Sequence, residues 1–147
     1  MHTCLRSTCF ATAIALCAPV AANTFDISPN TSSGNFSTFK WYVSIDGAPP
    51  ANNPDLTVLT GQTYTFNVTT SISHPFWIDQ SAGIGGTNAY PYPGDLSDNG
   101  VSSSTSITFN VPIDAPGTLY YACGQHFSMI GTIQVVHDLV FRDRFDL

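Results

Sequence analysis

Alternation of apolar and polar side chains is the dominant pattern along this chain. It runs through residues 63–69, 105–111 and most of 36–45, and Gly or Pro lies near each run. A period of two indicates strands with one buried face, because a helix would repeat about every 3.6 residues. Shorter apolar runs predict further strands at residues 25–27 and 54–60, within 71–79, and on both sides of a loop within 118–136. These elements predict an all-β, Greek-key β-sandwich of about seven to eight strands.

Composition agrees with this fold class. Thr, Ser, Val, Tyr and Phe are abundant, whereas Lys is scarce and Glu is absent. The connection over residues 81–104 is rich in Gly and is long for a structureless segment, so we expect it to cover or shield a functional part of the sandwich.

The length of 147 residues fits one domain, which we place at residues 23–137. Residues 1–22 have the features of a signal peptide, with Arg6 followed by a small apolar run. That run is shorter than the roughly 20 apolar residues of a transmembrane helix. Residues 138–147 form a C-terminal tail to which no role is assigned.

The end of the leader predicts where it is removed. Val20-Ala21-Ala22 fits the small-residue rule for cleavage after Ala22, so a periplasmic or secreted protein is expected. Cys17 lies in a poor lipoprotein cleavage box because Leu16 precedes it, and lipid anchoring there is not expected.

The charge is strongly acidic, with ten acidic residues, all Asp, and a formal net charge of −6. After the leader, the cations are Lys40 and two arginines of the tail. A nucleic-acid partner is not expected, because phosphate binding needs a basic face. A protein partner with a basic docking face is favoured, although the acidity is explained almost as well by solubility alone.

Soft metal-ligand chemistry is concentrated in residues 123–129. Cys123, His126 and Met129 lie within seven residues on a predicted loop between strands. Cys123 is the one cysteine outside the leader, so cleavage would leave it without an intramolecular disulfide partner, and a metal-binding role becomes the favoured explanation. A thiol, an imidazole and a thioether select copper over hard cations. The alternative is that the thiol is a small buried apolar group.

A further donor is needed from outside this loop, and His74 is the candidate. It begins an aromatic and β-branched run, His74-Pro75-Phe76-Trp77-Ile78. Taken alone, such a histidine is more often a hydrogen-bonded structural group. The presence of the 123–129 loop reverses that preference.

These residues resemble the cupredoxins, the type 1 (blue) copper proteins, of plastocyanin- and amicyanin-like kind. The resemblance is carried by Gly61-Gln62-Thr63-Tyr64-Thr65-Phe66, by His74, and by the Cys-x-x-His-x-x-Met spacing within residues 118–136. It implies one type 1 copper per chain, held by His74, Cys123, His126 and Met129. It also implies a monomeric single-electron carrier rather than an enzyme, with a redox protein as its partner.

Two positions depart from the family pattern. Pro75 stands where the family commonly has Asn, and it has no N–H to offer the thiolate. Gln125 stands where related loops often carry Pro, so its amide is expected to bond the Cys123 sulfur and tune the metal. The exposed edge of His126 is the expected electron port, with Phe127, Ile130 and Pro75 forming an apolar rim.

Two other classes of function remain open from the sequence. One is a copper-binding or trafficking protein without a redox partner, although a delivery site would be expected to be richer in methionine. The other is a metal-free cupredoxin-like interaction module. An enzyme is not expected, because the chain has no paired His-x-His ligands of a multicopper oxidase and no Glu to act as a base beside a catalytic zinc.

Overall fold

Two β-sheets form the protein in the computed structural model, which describes residues 23–91 and 95–137. The leader, its cleavage after Ala22, Cys17 and the tail lie outside the described residues. Among the residues described, no helical segment has the length and hydropathy that a membrane crossing requires. The strands are β1 (Thr24–Asn30), β2 (Lys40–Ile45), β3 (Ala51–Asn52), β4 (Leu56–Leu59), β5 (Thr63–Val68), β6 (Phe76–Asp79), β7 (Thr105–Asn110), β8 (Thr118–Cys123) and β9 (Ile130–Val136).

The strand order is β3-β2-β1-β5-β7 in one sheet and β4-β9-β8-β6 in the other. Most neighbouring strands are antiparallel, but β1 pairs with β5 and β4 pairs with β9 in parallel. The chain passes from one sheet to the other between β5 and β6 and returns between β6 and β7. The predicted all-β sandwich is confirmed, and the described residues contain nine strands because of the short β3.

The alternating positions supply the core between the sheets. Trp41 and Val43 of β2, Phe66 of β5, and Ile107 and Phe109 of β7 are all at most 1% exposed. Removing apolar surface of this kind from water contributes about 25 cal/mol per Å². The inward faces that the sequence pattern indicated are therefore the ones that hold the sheets together.

The second predicted strand was expected to begin at residue 36, and this boundary was wrong. Phe36–Thr38 is a 3-10 turn, and β2 begins only at Lys40. Asn35 caps this turn, because its side-chain oxygen accepts a hydrogen bond from the Ser37 amide. The turn places Phe36 at the surface, 71% exposed, instead of on a strand face.

The long connection after β6 packs on Trp77. A Cβ added to Gly86 or Gly100 would come within 2.9 or 2.4 Å of the Trp77 ring, and both glycines have a positive φ. The Gly85 amide donates to the carbonyl of Cys123 over 2.9 Å, so the connection contacts the end of β8 directly. It covers this outer side of the β6–β8 pair.

Candidate metal centre

His74, Cys123 and His126 converge at one end of the sandwich. One possible ligand atom from each residue lies within 4.8 Å of the others. Cys123 is the last residue of β8 and pairs with Phe76 of β6. His74 lies two residues before Phe76 on the crossover from β5, so this strand pairing brings it to the loop that carries His126.

Backbone hydrogen bonds close the loop of residues 123–129. The Cys123 amide donates to the carbonyl of Met129 over 2.9 Å, and the Met129 amide donates to that of His126 over 3.1 Å. The Met129 side chain is 0% exposed and belongs to the core cluster. Because the loop starts and ends on the paired strands β8 and β9, its residues are held from both sides.

The Cys123 thiol is buried and has no disulfide partner among the described residues. Its Sγ lies 3.4 Å from His126 Nδ1 and accepts a hydrogen bond from the Gln125 amide, also over 3.4 Å. Burial raises the pKa of the thiol, and the amide hydrogen bonds of Gln125 and His126 oppose that rise. A buried thiol is not reactive toward solvent, but a cation beside it would favour the thiolate.

The His74 imidazole contains a buried nitrogen without a partner. Its Nδ1 has no hydrogen-bond partner within the described structure, although most buried polar atoms have one. Burial lowers the pKa of His74, and the nearby His126 lowers it further. A neutral imidazole with an unused nitrogen beside a thiol and a second imidazole fits a metal ion that binds nitrogen and sulfur.

Pro75 and Gly124 join the two ligand-bearing segments. The Gly124 amide donates to the Pro75 carbonyl over 2.8 Å. A side chain at Gly124 would meet Trp77 Nε1 at 3.0 Å, so the segment passes close to the β6 strand. Pro75 supplies only its carbonyl to this contact, as its missing N–H requires.

Aromatic rings surround the two imidazoles, which are 4.7 Å apart between ring centroids. Phe39 contacts both, with centroid distances of 5.8 Å to His74 and 5.4 Å to His126. Phe36 stacks on His126 at 5.9 Å. Neither phenylalanine could be assigned to the site from the sequence, because only the capped turn before β2 brings them there.

Exposed apolar side chains flank His126, with the polar Ser37, Gln125 and Ser128 beside them. Phe36, Ile72 and Phe127 are between 71% and 77% exposed, and they are among the most exposed large apolar side chains described. A cleft of about 460 Å³ lies at His126, between Phe36 and Phe127. Ile130 and Pro75, which the sequence places in the expected rim, are half-buried.

No family model matches the chain, and no curated protein matches it. Among solved structures it is similar to a purple cupredoxin from Nitrosopumilus maritimus, with 18% identity, a TM-score of 0.42, and coverage of 78% of this chain and 99% of that one. A mutant of amicyanin in its reduced Cu(I) form has 19% identity, a TM-score of 0.41, and coverage of 81% and 86%. A variant of the McoA multicopper oxidase from Aquifex aeolicus has 16% identity, a TM-score of 0.43, and coverage of 81% and 28%.

The His–Cys–His group is identified from the positions of its donor atoms, and it is consistent with the resemblance to cupredoxins in the sequence.

Proposed function

We propose that the chain is an exported type 1 copper protein that carries single electrons and is not an enzyme. The convergence of two imidazoles and one thiol within 4.8 Å is the observation that supports this function most directly. Two His and one Cys form the trigonal ligand set of a blue-copper site, to which a weak axial Met is added. His74, Cys123 and His126 would hold the ion, and the buried Met129 would supply a further, weaker sulfur ligand.

Copper in such a set takes up and releases one electron. The protein's part is to keep the donors in one arrangement for both oxidation states. The closed 123–129 loop, the Pro75–Gly124 contact and the Phe39 ring restrict the imidazoles and the thiol. The Gln125 amide would withdraw negative charge from the Cys123 sulfur and so favour the reduced state.

Electrons would enter and leave at the edge of His126. The exposed side chains of Phe36 and Phe127 beside His126 would let a partner approach closely. Weak redox encounters of this kind bury less than about 1,200 Å² in total. The acidic body favours a redox partner with a basic docking face, and the copper protein itself would be a monomer in the periplasm or outside the cell.

The test is the visible spectrum and metal content of the purified protein after addition of Cu(II). We expect one copper per chain and an intense thiolate-to-copper absorption that is lost in Cys123→Ser. A matched control is Ser128→Ala, which lies on the same loop but removes none of the proposed ligands.

Two other outcomes would replace this proposal. Tight binding of Cu(I) without visible absorption from Cu(II) would favour trafficking. If Cys123→Ser changes neither metal content nor thermal stability, the protein is a metal-free interaction module.

A further inference from the structure

The carbonyl oxygen of Ser128 receives two side-chain donors from outside the candidate ligand loop. Lys40 Nζ lies 3.3 Å from this oxygen, and Asn53 Nδ2 lies 2.8 Å from it. Ser128 stands between His126 and Met129 in the sequence. Both donors therefore act on the backbone that connects two of the proposed ligands.

Asn53 is itself fixed to the core. Its side-chain oxygen accepts a hydrogen bond from the Trp41 backbone amide over 2.7 Å, and its backbone N–H donates to the Trp41 carbonyl over 2.8 Å. Asn53 adopts a φ of 44°, a conformation that Asn tolerates better than most residues. Because Trp41 is fully buried, the side-chain amide of Asn53 links the buried part of β2 to the 123–129 loop.

Lys40 adds a positive charge at the same carbonyl. It is the one Lys or Arg within residues 23–91 and 95–137. Its hydrogen bond to Ser128 is partly buried, and within the part of the chain that the structure describes no carboxylate pairs with its ammonium group. A charge acts over a longer range where water is partly excluded and no counter-charge is adjacent.

We propose that Lys40 and Asn53 are positioning residues of the metal centre: together they clamp the 123–129 loop, and the Lys40 charge favours Cu(I) over Cu(II). The second part rests on the function proposed above. A nearby positive charge opposes the more highly charged oxidised state, so Lys40 raises the reduction potential. The clamp itself requires no metal.

The charge is tested by replacing Lys40 in the copper-loaded protein. Lys40→Gln is expected to weaken the preference for Cu(I) by up to about tenfold, which is a fall in potential of up to about 59 mV for a one-electron couple. Lys40→Arg keeps the charge, and its reduction potential is expected to equal that of the unmodified protein. Gln62→Glu, at the turn before β5 whereas His74 follows that strand, changes the net charge by the same amount and is expected to leave the potential unchanged.

The clamp is tested in the copper-free protein by amide hydrogen exchange. Asn53→Asp keeps the acceptor for the Trp41 amide but removes the donor to Ser128. The Cys123 and Met129 amides, which close the loop, should then exchange about fivefold faster, as expected for the loss of one hydrogen bond. The Phe66 amide in β5 is the internal control and should keep its rate.

Each arm has an outcome that overturns it. An unchanged potential in Lys40→Gln, or an equal fall in Gln62→Glu, would remove the charge effect. Unchanged exchange in Asn53→Asp would remove the clamp. If Lys40→Gln does not fold, Lys40→Met makes the same test of charge. Absence of the thiolate-to-copper absorption in the unmodified protein would instead refute the proposed function and with it the charge effect, and the exchange experiment would still decide the clamp.

Discussion

The Phe36 ring lies almost parallel to the His126 imidazole, with centroids 5.9 Å apart and an angle of 6° between the ring planes. Phe36 comes from the capped turn before β2, and His126 comes from the loop between β8 and β9. The stack thus joins two loops from different sheets at the end of the sandwich that carries the candidate metal centre, and it places an aromatic ring over a proposed ligand.

Phe36→Leu should loosen this end of the molecule. The substitution keeps an apolar side chain but removes the aromatic pair, so the free energy of unfolding of the copper-free protein should fall by about 0.5 kcal/mol, the low end for such pairs because Phe36 is largely exposed. Denaturation by urea measures it. Phe127→Leu is the matched control, since Phe127 is equally exposed and has no ring partner among the described residues. Equal losses in both variants would contradict a specific role for the stack.

The amide of Gln125 should set part of the reduction potential. Gln125→Pro removes the N–H that bonds the Cys123 sulfur, so the thiolate donates more strongly to the oxidised metal and the potential should fall, by about 59 mV for a tenfold change in relative affinity. Voltammetry of the copper-loaded protein measures the change.

Gln125→Ala provides the control for this experiment. It keeps the amide but loses the side-chain hydrogen bond to the Ile72 carbonyl, which is 2.9 Å long. Its potential should stay close to that of the unmodified protein. A fall as large as that of Gln125→Pro would assign the effect to the Ile72 contact.

Asp79 should make stability depend on pH. Its side chain is 1% exposed; burial raises its pKa above the usual value of 3.8, and the hydrogen bond from the Gly86 amide only partly offsets this. The folded protein then binds the proton more tightly than the unfolded chain. The free energy of unfolding should therefore decrease as pH rises from about 3.8 through the folded-state pKa, and remain lower above it.

Asp79→Asn should remove that decrease while keeping an acceptor for the Gly86 amide. Urea denaturation of both proteins across this pH range measures the difference. The idea fails if the two proteins lose stability in parallel as the pH rises.

Gly131 is required by the Tyr121 side chain across the β8–β9 pair. A Cβ at position 131 would lie 2.2 Å from the Tyr121 ring, and Tyr121 is fully buried, with its hydroxyl donating to the Pro54 carbonyl over 2.6 Å. Gly131→Ala should therefore cost about 1–3 kcal/mol or more in the free energy of unfolding. Gly117→Ala, where a Cβ meets nothing within 4 Å, should change stability little. Thermal denaturation of the two variants compares them, and similar melting temperatures would contradict the crowding.

The sequence predicted strands that have their own alternating pattern. It did not predict features that depend on pairing between distant segments. β5 and β7 follow their alternation closely, because each buries one face against the same core. The parallel pairing of β4 with β9 joins segments far apart in the chain and left no local pattern. The same is true of β3, which has two residues and no period to detect.

The ligand candidates could be predicted because Cys123 is the one cysteine outside the predicted leader, and His126 stands three residues away from it. The surroundings of these candidates could not. Phe36 was expected on a strand, because the sequence around it alternates and gives no sign that Asn35 caps a turn there. Lys40 and Asn53 carry no motif, and only the β2–β3 pairing and the Trp41 contacts bring them to Ser128.

The position of His74 on a crossover determines at what point during folding the three proposed ligands come together. His74 lies where the chain leaves one sheet for the other, whereas Cys123 and His126 belong to the β8–β9 hairpin region. The three side chains cannot meet until β6 has paired with β8. An ion that requires all three would thus distinguish a molecule in which β6 and β8 have paired from one in which they have not.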